Sequence, residues 1–523
     1  MLHAPRRALV FLGTALWTLA GSVAAQHDIL IRGGRVLDGS GNPWRTADVA
    51  IDGDRIVAVG DLGDAQAQRV IDARGLYVSP GFIDVHSHAA SGLSGQSLSH
   101  GRPLLAQGIA TVVINPDGGG STDLERQRLS LEEHGLGVNV AQLVPHGSVR
   151  RAVLQMSDRA PTEDELEAMR EIVRRGMQAG AFGLSSGLYY APGSYSETAE
   201  VVELAKVVSS FGGVYSSHIR DEADYNVGLI AAVDEVIQIA REAKLPGVVS
   251  HVKALGPRVW GFSAAIVARI ERARADGIQV YTDQYPYEAS GTSISGALVP
   301  RWAQVGGRLR DRLADPNERA RLRRDILENL DRRGGAARLS FTRHAADPTV
   351  EGRTIQSVAD ERGLEAADLV LDLIGSGGAG LVSFNMDEAD IATLMRQPWT
   401  MTSSDGGLTR MGSGVPHPRY YGTFPRKIRK YVVEEQVVGL ADAIRSMTSL
   451  PAAVFNIEAR GVVEPRAFAD LTIFDLEAVR DLATYDAPHQ LSEGMVYVLI
   501  NGKIALDKGR FAEDLSGRVL RRR

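Results

Sequence analysis

The sequence predicts an α/β fold, a TIM-like (β/α)8 barrel joined to a small β-sandwich domain that both termini build. Three observations predict it. Over residues 81–455 short apolar runs alternate with amphipathic helical stretches, the rhythm of repeated βα units on a parallel sheet. On both sides of that region the pattern changes to short β-type runs broken by Gly, Asp and Asn. Histidines fall at the ends of several apolar runs, the end at which barrel folds keep their chemistry. A chain of 523 residues with 44 % apolar residues is long enough for such a barrel and its core.

The chain opens with a targeting signal. Arg6 and Arg7 form a basic start, Leu9 to Ala20 is apolar, and Val23-Ala24-Ala25 offers small residues for cleavage before Gln26. A membrane anchor is the alternative, but the stretch is shorter than the ~18–20 apolar residues that span a bilayer. Residues 1–25 are therefore expected to be a signal peptide of a periplasmic or secreted protein with no membrane attachment after cleavage. Residues 26–80, "HDILIRGGRVLDGSGNPWRTADVAIDGDRIVAVG" above all, form the first part of the β domain. Residues 456–523, with "FADLTIFD" and "GMVYVLINGKIAL", form the second. Between them lies the barrel, with strand-like Thr111-Val112-Val113-Ile114, Gly213-Val214-Tyr215, Gly247-Val248-Val249 and Ile278-Gln279-Val280-Tyr281. The charged residues 302–334 read as a helical insertion on its surface. Net charge is −6 with both signs mixed, so nucleic acid is not an expected partner. There is no cysteine, which excludes disulfides, thiol catalysis and thiolate ligands. Any metal must be held by His, carboxylate or other oxygen ligands.

The candidate site is spread along the barrel. In "GFIDVHSH" His86 and His88 stand two apart, so on a strand both face one side and can reach one metal. His218 ends "GGVYSSHIRDE" and His251 ends "PGVVSHVKALG", each after a β-type run. Asp405 lies in "WTMTSSDGGL" and Asp117 in "TVVINPDGGG". Both aspartates also suit turns, and taken alone Asp117 reads as one.

Together "PGFIDVHSH", "GAFGLSSGLYYAPGSYS", "YSSHIRDE", "VVSHVKALG", "DQYPYEASGTS", "TSSDGG", "HPRYYGTFPR", "MTSLPAAVFNI" and "GVVEPRAFADLTIFD" resemble the N-acyl-D-amino-acid deacylases (D-aminoacylases) of the amidohydrolase superfamily, in order and over nearly the whole mature chain. The resemblance implies a zinc-dependent site of one or two ions (Zn2+ or another divalent metal) and a small N-acyl amino acid of D configuration as substrate. It makes His86, His88, His218, His251 and Asp405 the metal and catalytic positions. The family usually has a ligating Cys in an Asn-Cys-Gly segment, where this chain has Pro116-Asp117-Gly118, so Asp117 is the expected sixth ligand. A carboxylate can ligate or bridge zinc, but as a harder ligand it lowers selectivity against manganese. The superfamily's other bridging ligand, a carboxylated lysine, has no candidate, because "GAFGLSSG" carries no Lys.

Amide hydrolysis needs an activated water and a proton for the departing nitrogen, and Asp405 fits the role of general base beside a metal. The product's carboxylate calls for cations or hydroxyls. Arg419, Lys253 and Tyr190 lie in segments that by resemblance face the substrate, with Tyr287 and Ser293 as weaker candidates. A surface ion pair for Arg419, a solvated Lys253 and a core Tyr190 are the structural alternatives. Two other functions stay open at this point. One is a dipeptidase or cyclic-amide hydrolase of the same superfamily, acting on D-residue-containing fragments. The other is a metal-free ligand-binding scaffold.

Overall fold

The computed structural model describes Met1 and residues 26–522, so the expected signal peptide lies, apart from Met1, outside the described residues. Among the described residues no helix is long and apolar enough to cross a membrane.

The central strand of the terminal domain is His27–Val36. It pairs antiparallel with Arg45–Asp52 and lies parallel to two further strands, to Ala67–Asp72 through its first half and to Tyr77–Pro80 through its last residues. A bulge between Ile31 and Gly34 separates the two halves. Gly33 sits in it with φ 64°, a left-handed conformation that glycine adopts without the Cβ penalty. Tyr77–Pro80 in turn pairs antiparallel with Leu471–Phe474, beyond which follow Met495–Ile500, Lys503–Asp507 and Arg510–Phe511. Both ends of the chain thus build one mixed nine-stranded sheet, branched at its central strand. It covers a core that includes Ile31, Val49, Ile56, Ile71, Leu471 and Leu499. After Phe511 the chain leaves this sheet. It runs under the barrel, where the Gly517 and Leu520 amides donate to Leu136 and Val140 at 2.7 Å.

Eight parallel strands form the barrel: Phe82–Asp84, Ile109–Ile114, Asn139–Pro145, Gly183–Gly187, Val214–His218, Gly247–Val249, Val280–Gln284 and Thr400–Thr402. Ile83, Val113, Leu143, Val248 and Met401 fill its interior. Its outer layer packs on helices such as Glu163–Gln178 and Leu229–Ala243 through a larger apolar cluster. The first strand and the last meet through the short strands that follow them, with Gly406 opposite Ser87 and Gly407 opposite His88. Buried Asp84 fastens this seam. Its Oδ1 accepts the amides of Ser404 (2.8 Å) and His86 (3.3 Å), and its Oδ2 accepts the Ser404 hydroxyl at 2.5 Å.

Between the seventh and eighth barrel strands lies a separate unit. Its three antiparallel strands, Ala289–Ser293, Gly380–Phe384 and Leu339–Arg343, carry helices that include Ile294–Leu298, Pro316–Arg332 and Ala366–Gly375. Leu322, Ile326, Leu339, Phe341 and Leu369 give it its own core. The helical stretch expected over 302–334 is present as Leu309–Ala314 and Pro316–Arg332, and it is one part of this wider insertion.

Candidate metal centre

All six expected ligands stand at the C-terminal ends of barrel strands. His86 and His88 follow the first strand, Asp117 the second and Asp405 the eighth; His218 closes the fifth, and His251 lies two residues past the sixth. Asp117, His251 and Asp405 take φ values of 55°, 36° and 47°. Left-handed backbone of this kind is sparsely populated outside glycine and persists where the surroundings hold it. At Asp117 the reason is visible. A Cβ on the next residue, Gly118, would lie 2.9 Å from the backbone nitrogens of Gly147 and Gly187, so only glycine lets the loop sit on its neighbours. The glycines of "PDGGG" make that approach possible.

The side chains converge on two overlapping sets. His86, His88, Asp117 and Asp405 place ligand atoms within 4.8 Å of one another, as do Asp117, His218 and His251. Asp117 belongs to both. Its carboxylate lies 3.3 Å from His86 Nε2, 3.4 Å from His88 Nε2, 3.7 Å from His218 Nδ1 and 3.4 Å from His251 Nε2. Asp405 Oδ1 is 3.2 Å from His88 Nε2, while its Oδ2 faces Arg419 Nη1 at 2.9 Å.

Glu222, four residues after His218 in "SSHIRDE", carries no sequence signal of its own and joins the centre only in the fold. Its Oε1 lies 3.1 Å from His251 Nδ1 and 2.5 Å from Lys253 Nζ. A carboxylate behind an imidazole fixes its tautomer and leaves the other nitrogen to a metal.

The electrostatics favour bound positive charge. Burial alone would raise the Asp117 carboxyl, but the imidazoles of His86 and His251 outweigh it and hold it well below the usual range. Burial likewise opposes ionisation of Asp405, and the Arg419 guanidinium overcomes it and keeps the group ionised. Burial pushes His218 down to about 3. Against burial, Asp117 and Asp405 lift His88 to about 9, and Asp117 and Glu222 lift His251 to about 10. The two aspartates therefore draw positive charge, either as protons on these imidazoles or as a cation that displaces them. Both ring nitrogens of His86 and of His218, and Asp117 Oδ1, are buried without a hydrogen-bond partner, which buried polar atoms rarely are. These orphaned atoms and the all-N/O donor set fit one or two divalent ions, zinc among them.

The centre opens into a cavity of about 820 Å³. Of the expected substrate contacts, Tyr190, Lys253, Ser293 and Arg419 line it. The Tyr190 ring lies 4.6 Å from the His218 ring at a tilt of 58°, and its hydroxyl meets Thr292 Oγ1 at 3.1 Å. Ser293 also caps a helix by accepting the Gly296 amide at 3.0 Å. Tyr287 is displaced from the expected role: it does not line the cavity but packs behind it, 5.0 Å from the ring of His417 and under the Arg426 guanidinium. Tyr285 lines the cavity instead, its ring 4.8 Å from the Arg419 guanidinium. In "DQYPY" the intervening proline breaks the strand after Gln284, so spacing along the sequence did not tell the two tyrosines apart.

Known proteins resemble the chain over nearly its whole length. D-aminoacylase from Alcaligenes xylosoxydans xylosoxydans is 34 % identical, over 96 % of this chain and 99 % of its own length. N-acyl-D-glutamate deacylase from the same organism is also 34 % identical, over 95 % and 96 %. Among solved structures, N-acyl-D-glutamate deacylase from Bordetella bronchiseptica, complexed with zinc and a phosphonate mimic of the tetrahedral intermediate, superposes with a TM-score of 0.82. It is 33 % identical and covers 95 % of this chain and 100 % of its own. The amidohydrolase family model matches residues 69–506, from within the first terminal strands through the barrel to the last ones, and the chain belongs to the amidohydrolase family.

Proposed function

We propose that this protein hydrolyses the amide bond of N-acyl-D-amino acids, releasing a D-amino acid and a carboxylic acid. The observation that carries the reading is Asp405, an ionised, buried carboxylate aimed at His86 and His88 from the far side of the barrel seam. His86, His88, Asp117, His218, His251 and Asp405 would hold the metal, and Glu222 would orient His251. A metal held there would supply Lewis acidity, activating the attacking water and polarising the scissile carbonyl. Asp405 takes the proton of the attacking water at Oδ1, the oxygen that faces the two histidines, and passes it to the departing nitrogen. Arg419, paired with Oδ2, keeps Asp405 deprotonated between turnovers and fixes its orientation. Tyr190, Lys253 and Ser293 line the same cavity and supply hydroxyl and ammonium donors for the substrate's carboxylate. Lys253 is already held by Glu222, so it acts as an oriented donor rather than a mobile one.

A panel of N-acetyl-D-amino acids, their L-forms and D-containing dipeptides, assayed with metal-loaded protein, tests the proposal. Release of free D-amino acid from the N-acetyl-D series alone is expected. Turnover confined to the dipeptides or to L-forms would reject it. We further propose that residues 1–25 are a cleaved export signal, on the strength of Arg6, Arg7 and the apolar Leu9 to Ala20. A mature N-terminus at Gln26 in periplasmic or culture fractions is expected, and an intact Met1 there would refute it.

A further inference from the structure

Equal identity to D-aminoacylase and to N-acyl-D-glutamate deacylase leaves open which side chain this enzyme prefers. The charges around the cavity separate the possibilities. Its acidic lining residues are Asp117, Glu222 and Asp405, and each is already engaged, with imidazoles, with Lys253 or with Arg419. The cations closest to the chemistry, Lys253 and Arg419, are engaged by the same carboxylates. Two further arginines line the cavity, and the insertion supplies both. Arg333 is 1 % exposed and hydrogen-bonds only to neutral acceptors, the carbonyl of Ala297 and the hydroxyls of Ser383 and Tyr189. Arg343 ends the strand Leu339–Arg343, is exposed at the mouth, and has no carboxylate within ion-pair distance among the described residues. Gly380, its register partner on the neighbouring strand, lines the same cavity with Gly377 and Gly378, so no side chain of these three occupies that stretch of the lining. With the fixed anions all paired, a buried and an exposed arginine without carboxylate partners leave the insertion side of the cavity positive, a field complementary to an anionic ligand.

Resting on the deacylase reading above, we infer that the preferred substrate is the N-acyl derivative of an acidic D-amino acid, and that Arg343 selects it by pairing with the side-chain carboxylate. Arg333 adds a fixed positive field under the same cavity. Arginine suits the task because its planar fork meets a carboxylate with two parallel N–H donors.

The experiment compares kcat/KM for N-acetyl-D-glutamate, N-acetyl-D-aspartate, N-acetyl-D-leucine and N-acetyl-D-methionine in the metal-loaded wild type and in Arg343→Gln and Arg343→Lys. Wild type is expected to favour the acidic pair at least tenfold. Arg343→Gln should lower the acidic-to-neutral ratio at least tenfold, chiefly through KM, and Arg343→Lys should restore part of it. A wild-type preference for the neutral pair, or a ratio unmoved by Arg343→Gln, overturns the inference while leaving the deacylase reading intact. Hydrolysis of none of the four overturns both.

Discussion

Replacing Asp405 by asparagine exchanges one carboxylate oxygen for an amide nitrogen and barely changes the volume of the side chain. Two losses follow, and they fall on different assays. Asparagine cannot take the proton of the attacking water. A positioned general base contributes roughly 10²–10⁴-fold, so kcat should fall at least about 100-fold, close to 2.7 kcal/mol of barrier. The second loss is structural. Arg419 is 4 % exposed, and Asp405 is its one carboxylate partner among the described residues, at 2.9 Å. Breaking a buried pair by removing one member costs about 3–5 kcal/mol, and the amide oxygen retained by Asn keeps part of the contact, so about 1–3 kcal/mol of stability should be lost. His86, His88, Asp117, His218 and His251 remain, and at least one metal ion should stay bound. Elemental analysis, kcat on the best substrate of the panel and a denaturant midpoint read the three quantities separately. Turnover near wild type would make Asp405 a turn residue and refute the proposed proton transfer. Loss of all metal would show instead that its part is ligation.

Asp117→Ala should lower bound metal by about one ion per chain, since all four imidazoles face this one carboxylate, whereas Asp117→Cys should retain zinc; unchanged metal content in the alanine variant would return Asp117 to the turn it also occupies. Asp84→Ala cuts two hydrogen bonds from Ser404 across the barrel seam and a local one from the His86 amide, and should reduce kcat tenfold or more with metal still bound, and wild-type turnover would show that the seam does not orient Asp405. Lys427 is buried, donating to Thr402 and Ser446 at 2.8 Å, and burial lowers its ammonium from 10.5 to about 7. Between those values the unfolded chain holds a proton that the folded chain does not, so this group makes stability rise with pH from about 7 to 10.5. The Tm of wild type minus that of Lys427→Met should therefore climb over this window, and a flat difference would refute the assignment.

Much of the centre was legible because metal ligands on a barrel recur at one place, the polar end of an apolar run. His86, His88, His218 and His251 could be read from that rule, and Asp117 and Asp405 from the family pattern around them. Residues that act from behind the ligands were not legible. Glu222 and Asp84 sit beside ligands in the sequence, but their roles depend on His251 and Ser404, which only the closed barrel brings to them. The insertion was recognised by its charged helices alone. Its strand Gly380–Phe384 pairs with Leu339–Arg343 on one side and Ala289–Ser293 on the other across long loops, and local pattern carries no record of such pairing. For the same reason nothing local in the sequence marks Arg333 or Arg343 as cavity residues.

The sheet shared by the two termini has a consequence in time. Ser79 Oγ donates to the carbonyl of Thr472, 393 residues further on. At roughly 5–20 residues per second, synthesis separates these partners by about 20–80 s. Through that interval Tyr77–Pro80 has an unpaired edge, and unpaired edges invite pairing with other chains. The barrel strands follow one another in sequence order as far as the seventh, so that arc can assemble while the terminal sheet still waits for its last strands. A nascent chain halted shortly before Leu471 would carry all eight barrel strands and the six metal ligands, yet lack the clasp that shields its first strands.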